Sequence, residues 1–547
     1  MMYAPSRCSE CGAHSTNPPR ESFDVNVVPG MRHHALLSTN EIPEGSEVPF
    51  VQSLVSETDS RLASLDDAIS KLRGQLKTLE EARTSLLTYR TRNSAILSPL
   101  RKMPPEVLGE IFLWTLPSLR DEFTRCKVDV RACPWVLTHV SSGWRTVAHS
   151  TPSLWSRVVI NYETSAPASS AYPSSLVEAQ LQRSQKLNIH IRGCEETDFL
   201  PQILMFQLLS QHSSRWEELS VRLTPQMSPL LAPLRDRIPS LKRLWIDWTS
   251  PESQTAVQSI DCFQTAGSLV DVGIYNEFDY APVSLPMHQL TRYEVEAPWD
   301  KHLSLLPLAT RLVEARIDIT SDREPANLSL SGVVELLHLR RLYVSNIHVL
   351  GCLRLPALEE LGLWIHETDK DIVQILEAFI GRSACPLRRL CVERFPDVPT
   401  TVEILHKLSA ITQLVIIIHV HDAVHSNNIN ALMSALTVSD LTSSTAVAPQ
   451  LISLLFGCEN TSSIDYSLYL EMVKSRWKAS NCALRSAVLL TEVRHPDPDT
   501  LHGLHTLRGE GLDLLLVEGV DARAQMIHWT YLTPWTEIDS CSSMFTI

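Results

Sequence analysis

From Val51 onward, apolar residues recur at alternating spacings of four and three: Val51, Val55, Thr58, Leu62, Leu65, Ile69, Leu72, Leu76, Leu79, Arg83 and Leu86. Nine of those eleven positions are apolar, and Glu, Asp, Lys, Arg and Ser fill the places between them. This is the heptad period of a coiled coil, and it predicts one long helix over residues 50–96. Gly74 weakens the helix by ~1 kcal/mol relative to alanine. Arg83 interrupts the stripe near its end. Two partners suit such a stripe: a second copy, giving a homodimer through residues 50–90, or the chain's own body. The spacing does not separate them.

The flanking stretches follow other rules. Residues 1–49 hold Pro18, Pro19, Pro29, Pro43 and Pro49 and show no period, which predicts a flexible N-terminal tail. From about Leu187 a short unit recurs: apolar, two others, apolar, one other, apolar. After Leu187-Asn-Ile189-His-Ile191 come Trp216/Leu219/Val221, Leu241/Leu244/Ile246, Leu269/Val272/Ile274, Leu290/Tyr293/Val295 and Leu312/Ala315/Ile317. Leu339/Leu342/Val344, Leu358/Leu361/Leu363, Leu387/Leu390/Val392 and Ile411/Leu414/Ile416 continue it, with weaker copies at Leu451/Leu454/Phe456, Leu484/Ala487/Leu489 and Leu512/Leu515/Val517. From Leu219 to Leu414 the second positions are 25, 28, 21, 22, 27, 19, 29 and 24 residues apart. That spacing brackets a leucine-rich repeat of about 20–29 residues.

Each unit alternates like a strand. The stretches between units include helical spacing, as at Ile372, Ile375, Leu376, Phe379 and Ile380. One strand and one helix cannot bury a face alone, so the units must stack. The expected fold class is α/β: an irregular leucine-rich-repeat solenoid, or horseshoe, over residues 158–520, with residues 521–547 as a cap or tail. The asparagine of regular repeats is mostly missing, although Asn276 and Asn346 stand near its place. A doubly wound α/β domain also alternates strand and helix, but no glycine-rich phosphate loop follows any of these strands.

Between the heptads and the repeats lies Leu97-Ser-Pro99-Leu100-Arg-Lys-Met103-Pro104-Pro105-Glu106-Val107-Leu108-Gly-Glu-Ile111-Phe112. The paired prolines break one helix and suit the first turn of the next, where Glu106 meets the positive end of the helix dipole. Trp135, Leu137, Val140, Trp144-Arg145 and Val147-Ala148 follow, and the segment closes on Leu154-Trp155. At these residues the chain resembles the F-box family, over about 55 residues from Leu100 to Trp155. Met103-Pro104-Pro105-Glu106-Val107-Leu108 matches the family's opening. Ile111-Phe112 matches its apolar pair, and Val140-Ser-Ser-Gly-Trp144-Arg145 and Leu154-Trp155 match its second half. Two departures stand out. Ser141 takes the place of a cysteine often found there, and Pro117–Pro134 is longer than a compact module needs. A heptad helix, an F-box with a double proline and irregular leucine-rich repeats together look like the expanded F-box families of mushroom-forming fungi.

The resemblance implies a small all-helical module at residues 97–157 that docks a Skp-type adaptor, and through it a cullin. The adaptor face it implies is Pro104, Leu108, Ile111, Phe112 and Val140, with Trp144 and Trp155 in the module's own core. The chain would then be a substrate-recognition subunit of a Skp–cullin–F-box ubiquitin ligase. The alternative is a leucine-rich-repeat scaffold that binds proteins without any ligase. Outward strand positions of the repeats are candidates for touching a protein target: above all Trp245, Tyr275, Tyr343 and Trp364, with Asp247, Glu294, Arg316, His366, Cys391 and Glu393 beside them.

Composition narrows the classes further. Net charge is −14, so the basic footprint of a nucleic-acid binder is missing, and an anionic membrane surface is disfavoured. The opening residues hold no apolar run of a secretory signal. The densest apolar run, Leu414–Ile418, is far shorter than a membrane span. Twelve scattered cysteines suit free thiols in a reducing compartment, hence cytoplasm or nucleus, where the sequons at Asn327 and Asn460 carry no meaning. Cys8, Cys11 and His14 offer part of a zinc site, with His33 or His34 to complete it, but two incidental thiols in a tail is the plainer reading. No Walker loop, Gly-x-Ser-x-Gly elbow or His-Glu-x-x-His occurs. His366-Glu367, His419-Val-His421-Asp422 and the His502/His505 pair each lack convergent partners. No enzyme and no cofactor is therefore expected.

Overall fold

The computed structural model describes residues 27–530 apart from 126, 164–171, 197, 277, 320–331, 367–368, 370, 394–396, 419–425, 439–445, 459–463 and 492–496. Cys8, Cys11, His14, Asn327, Glu367, His419, His421, Asp422, Asn460 and the end of the chain from 531 lie outside the described residues. The chain divides into two compact units, with the boundary between Met103 and Pro104.

In the first unit a short helix, α1 (Arg32–Ser38), forms within the stretch expected to be a flexible tail. Arg32 pairs with both Glu41 and Glu47, which ties the turn after this helix to the start of the next. That next helix, α2 (Val48–Ile96), runs 49 residues with Pro49 in its first turn. At 1.5 Å per residue it is about 73 Å long. None of its side chains is buried.

The second unit opens with helices α3 (Pro105–Trp114), α4 (Leu119–Arg125), α5 (Leu137–Val140) and α6 (Ser142–Ser150). Among the described residues a parallel sheet of fourteen strands follows, from Arg157–Asn161 to Asp513–Glu518. Its strands lie in sequence order, each beside the last, as in a solenoid-like repeat. Among the described residues, the short strands Val334–Glu335 and Leu353–Arg354 stand apart, pairing with each other. The protein is thus α/β, with a long N-terminal helix and a large parallel sheet.

The recurring apolar positions become one continuous row. Leu219, Leu244, Val272, Tyr293, Ala315, Leu342, Leu361, Leu390, Leu414, Leu454 and Ala487 are paired strand to strand. All are buried in the main core, between the sheet and its connections. The row ends on Leu514, not on Leu515 as the spacing suggested. Leu514, Leu515, Leu516 and Val517 are all apolar, so no alternation marks the register, and a slip of one residue turns Leu515 to the other face. The sheet also starts one strand earlier than the repeat pattern showed: Arg157–Asn161 pairs with Leu187–Arg192.

The connections between strands differ in type. The 19-residue step from Leu342 to Leu361 holds the 3-10 turns of Ile347–Cys352 and the short strand Leu353–Arg354, while the 29-residue step to Leu390 holds the α-helix Ile372–Ser383. Later helices begin on aspartate caps: Asp397 accepts from Thr400 N, Asp465 from Ser467 N and Leu468 N, and Asp497 from Asp499 N and Thr500 N. Several connections are clamped by a side chain that donates to turn carbonyls. Arg215 reaches Ser184 O and Leu181 O, and Arg382 reaches Leu353 O and Leu350 O. Arg476, fully buried, reaches Leu436 O, Val447 O and Ala448 O. A buried guanidinium persists here because the carbonyls it satisfies have no strand partner.

Candidate functional site

The segment resembling an F-box is built on α3. Pro104 caps it and Pro105 opens it, where a missing N–H costs no helical bond. Leu108, Gly109 and Phe112 face inward. At Gly109 an added Cβ would stand 3.1 Å from the Thr151 hydroxyl, so the side chains at the end of α6 pack close against α3. Phe112 meets Trp144 with ring centroids 4.8 Å apart. Ser141 caps α6 by accepting from Trp144 N, which gives this position a use for a hydroxyl where the family often has a thiol. Trp155 is fully buried, donates from Nε1 to Ala148 O at 2.8 Å, and packs edge-on against Trp135 at 5.0 Å. Arg183 lies over both rings.

This geometry divides the expected adaptor face. Pro104 is exposed, as are Ile111 (40 %) and Val140 (56 %). Leu108 and Phe112 are not available; they are core residues, because α6 covers that side of α3. Trp155 is buried, and Trp144 is half-buried against Phe112. The outward face holds two residues that the expected adaptor face did not include, Val107 and Trp114, the latter 88 % exposed. Val107, Ile111 and Trp114 fall at i, i+4 and i+7, which is one stripe of a helix. The signal was present in the sequence: α3 is apolar on two faces, and an isolated module can bury only one.

The insertion from Pro117 to Pro134 has a structural job. Its helix α4 lays Phe123 against Trp245 on the sheet face opposite the main core. Arg157 donates to Pro117 O at 2.8 Å, Asn161 contacts Phe123 O, and the Arg192 guanidinium stands 4.8 Å over the Phe123 ring. The insertion thereby fastens the helical segment to the first strands.

The same contact corrects the reading of the outward strand positions. Trp245 is 2 % exposed, covered by the chain itself and lying flat on Gly273, where any Cβ would collide with its ring. Tyr343 is also buried. Its ring lies against Gly362 and under the Arg316 guanidinium at 4.2 Å, and its hydroxyl donates to Glu393 at 3.1 Å. Asp247, Glu294, Arg316, Cys391 and Glu393 are buried as well. Toward the end of the sheet, Cys391 belongs to a second apolar cluster with Val415, Ile417, Leu455, Val488 and Leu490. Ala522 and Met526 of the last helix, Gly519–Thr530, complete that cluster. Tyr275 and His366 are exposed and Trp364 is half-buried, so of the expected target-contact positions these three keep access to solvent.

One row of this face carries a pattern the sequence reading did not find. Glu218, Arg243, Asp271, Arg292, Glu314, Arg341, Glu360 and Arg389 are register partners across eight consecutive strands, alternating in sign. Arg243 pairs with Glu218. Arg292 bridges Asp271 at 3.2 Å and Glu314 at 2.8 Å, Arg341 bridges Glu314 at 2.9 Å and Glu360 at 3.5 Å, and Arg389 closes on Glu360 at 3.1 Å. The charges neutralise one another, so the row is not an anion-binding stripe. Beside it, burial and three neighbouring arginines lower the His190 pKa to about 3. His190 is therefore neutral at pH 7, and its 3.4 Å approach to Glu218 is not an ion pair.

Among the described residues, no three His, Cys, Asp or Glu side chains are placed to hold a metal ion. No helix among them is long and apolar enough to cross a membrane.

No family model matches this chain, and no curated protein matches it. Solved structures that match include a crystal structure of a Bacteroides fragilis protein, a Northeast Structural Genomics Consortium target. It is 12% identical over 62% of this chain and 67% of that one, with a TM-score of 0.20. A likeness at that score carries no argument about fold or function.

Proposed function

We propose that this chain is a substrate-recognition subunit of a Skp–cullin–F-box ubiquitin ligase. It docks a Skp-type adaptor through α3 and holds a protein target on leucine-rich-repeat-like strands. The observation that carries the reading is the exposed apolar stripe Val107, Ile111 and Trp114, directly after the double proline, in the segment that resembles an F-box. Exposed Pro104 and Val140 belong to the same proposed surface. A stripe of this kind, on a module whose other face is already filled, wants a partner subunit. The chain itself performs no chemistry in this reading. It brings a target close to a conjugating enzyme, and proximity supplies the rate. Tyr275, Trp364 and His366 are the proposed target contacts that keep solvent access.

The test is co-purification of the full chain with a Skp-type adaptor. Ile111→Asp should abolish the complex while leaving the thermal unfolding midpoint in place. A folded full chain that ignores the adaptor would leave the repeat scaffold without a ligase as the reading.

A further inference from the structure

The long helix of the first unit holds a second interaction surface. We propose that residues 50–90 form a parallel two-stranded coiled coil with a second copy of this chain.

The stripe has no occupant in its own unit. Among the described residues there, the other α-helix is α1, only seven residues long, against the 49 of α2. Leu62, Leu65, Ile69, Leu72, Leu76, Leu79 and Leu86 are all exposed. The helix is not built to stand alone. Ion pairs at i, i+4, such as Arg61 with Glu57 and Lys71 with Asp67, each add only a little to helix stability. Thr58, Thr78, Thr84, Ser85, Thr88 and Thr91 bond back to the carbonyl four residues earlier, a habit that slightly weakens helices. Most helical stability comes from packing an apolar face, and from Leu62 to Leu86 this face is unpacked.

The pattern names the occupant. A seam with a sustained seven-residue repeat is covered best by a helix with the same repeat, because each knob must find a hole at the same pitch. The described remainder of this chain holds no other run of that kind, whereas a second copy supplies one in register. Leu65, Leu72, Leu79 and Leu86 take four successive positions of one seam row. Val55, Leu62, Ile69 and Leu76 take the other, where branched residues mixed with leucine favour two strands. Gly74 falls on the outer face, where no knob is needed.

Charge selects the direction. In a parallel, in-register pair the flanking positions meet five residues apart, so Arg61 faces Asp66 of the second copy, twice by symmetry. The next rungs set Ala68 against Arg73, Gln75 against Glu80 and Ala82 against Leu87, so no like charges meet. The antiparallel arrangement that aligns the same apolar layers brings Asp59 near Glu80 of the other copy, which cancels its one attraction, Asp66 with Arg73. Arg83 is the single charged seam residue within 50–90. Its stem can lie in the seam while the guanidinium turns out toward Glu80 of the second copy. Such a dimer presents two sheets to one target, which strengthens binding to any target with two copies of an epitope.

Sedimentation equilibrium of the full chain tests the proposal. The expected result is twice the chain mass at micromolar concentration. Leu65→Asp with Leu72→Asp should give the single-chain mass. Arg61→Asp should weaken the dimer at least several-fold, and adding Asp66→Arg should restore it; this pair leaves the seam intact, so its effect is not one of misfolding. Leu79→Cys should oxidise to an inter-chain disulfide that the unaltered chain does not form. In an antiparallel pair position 79 meets Leu62, and no such bond arises. A monomeric unaltered chain, a dimer indifferent to Leu65→Asp and Leu72→Asp, or a charge swap that fails to rescue would each overturn it.

Discussion

Arg292 stands with its Nε 2.8 Å from the Glu314 carboxylate on the next strand, while the same guanidinium reaches back to Asp271 at 3.2 Å. One side chain thereby joins three strands. Asp271 is buried, so removing Arg292 takes a counter-charge from a carboxylate in a place that water hardly reaches. Arg292→Met should therefore lower stability by ~2–4 kcal/mol. Arg292→Lys should recover only part of the loss, since an ammonium cannot fork toward two acceptors as a guanidinium does. Denaturant unfolding of the three proteins measures this, and an unchanged midpoint for the methionine variant would show the ladder to be ornamental.

Phe123 and Trp245 make the analogous test for the insertion. Phe123→Ala removes the ring that covers Trp245, with an expected cost of ~3 kcal/mol or more. The amides of residues 119–125 should then exchange with deuterium faster, because the Phe123 ring is an apolar anchor of α4 on the sheet. Unaltered exchange in that segment would mean that α4 is anchored by other contacts.

Ile111 and Phe112 are neighbours in sequence with opposite predicted phenotypes. Phe112→Ala should destabilise the fold by ~3–5 kcal/mol, since the ring is fully buried against Trp144. Ile111→Ala should shift stability by less than about 1 kcal/mol. In the proposed function it is the substitution at Ile111, not the one at Phe112, that removes adaptor binding from a folded protein. Equal stability losses at both positions would contradict the two-faced description of α3.

Two histidines make stability depend on acidity. His302 is fully buried between the Tyr293 hydroxyl at 3.0 Å and the Asp318 carbonyl at 3.2 Å, and burial lowers its pKa to about 4. His190 is lowered to about 3, by burial first and then by Arg157, Arg243 and Arg192. In the unfolded chain both protonate near pH 6.5. Above that pH the folded and unfolded chains bind the same number of these protons, and the stability is complete. As pH falls from about 6.5 toward 4, only the unfolded chain takes them up, so stability drops by ~1 kcal/mol per pH unit for each histidine. Unfolding free energies measured at several pH values should show this slope, and His302→Gln should make it shallower. A profile equally steep in that variant would assign the loss to other groups.

The repeat was legible because the second apolar position of each unit does one job, filling the core side of a strand. Leu219 through Leu414 were placed correctly from spacing alone, and they line up in the sheet. Legibility failed where that job left no mark. Leu514 and Leu515 are chemically identical, and Arg157–Asn161 precedes the first repeated unit, so neither the last register nor the first strand could be read.

The sequence by itself determined the sheet's strand order, the long helix and the inward row, because these follow from local periodicity and from the need of each unit to stack on its neighbour. Only the tertiary structure decided which face of α3 is covered, that α4 folds onto Trp245, and that Tyr343 is shut beneath Arg316. Those outcomes depend on which of two equally apolar surfaces finds a neighbour. The neighbour lies tens of residues away in the chain, at a distance where spacing carries no information. The alternating ladder from Glu218 to Arg389 sits between the two cases: its residues were in plain view, but their charges become partners only when the strands are laid side by side.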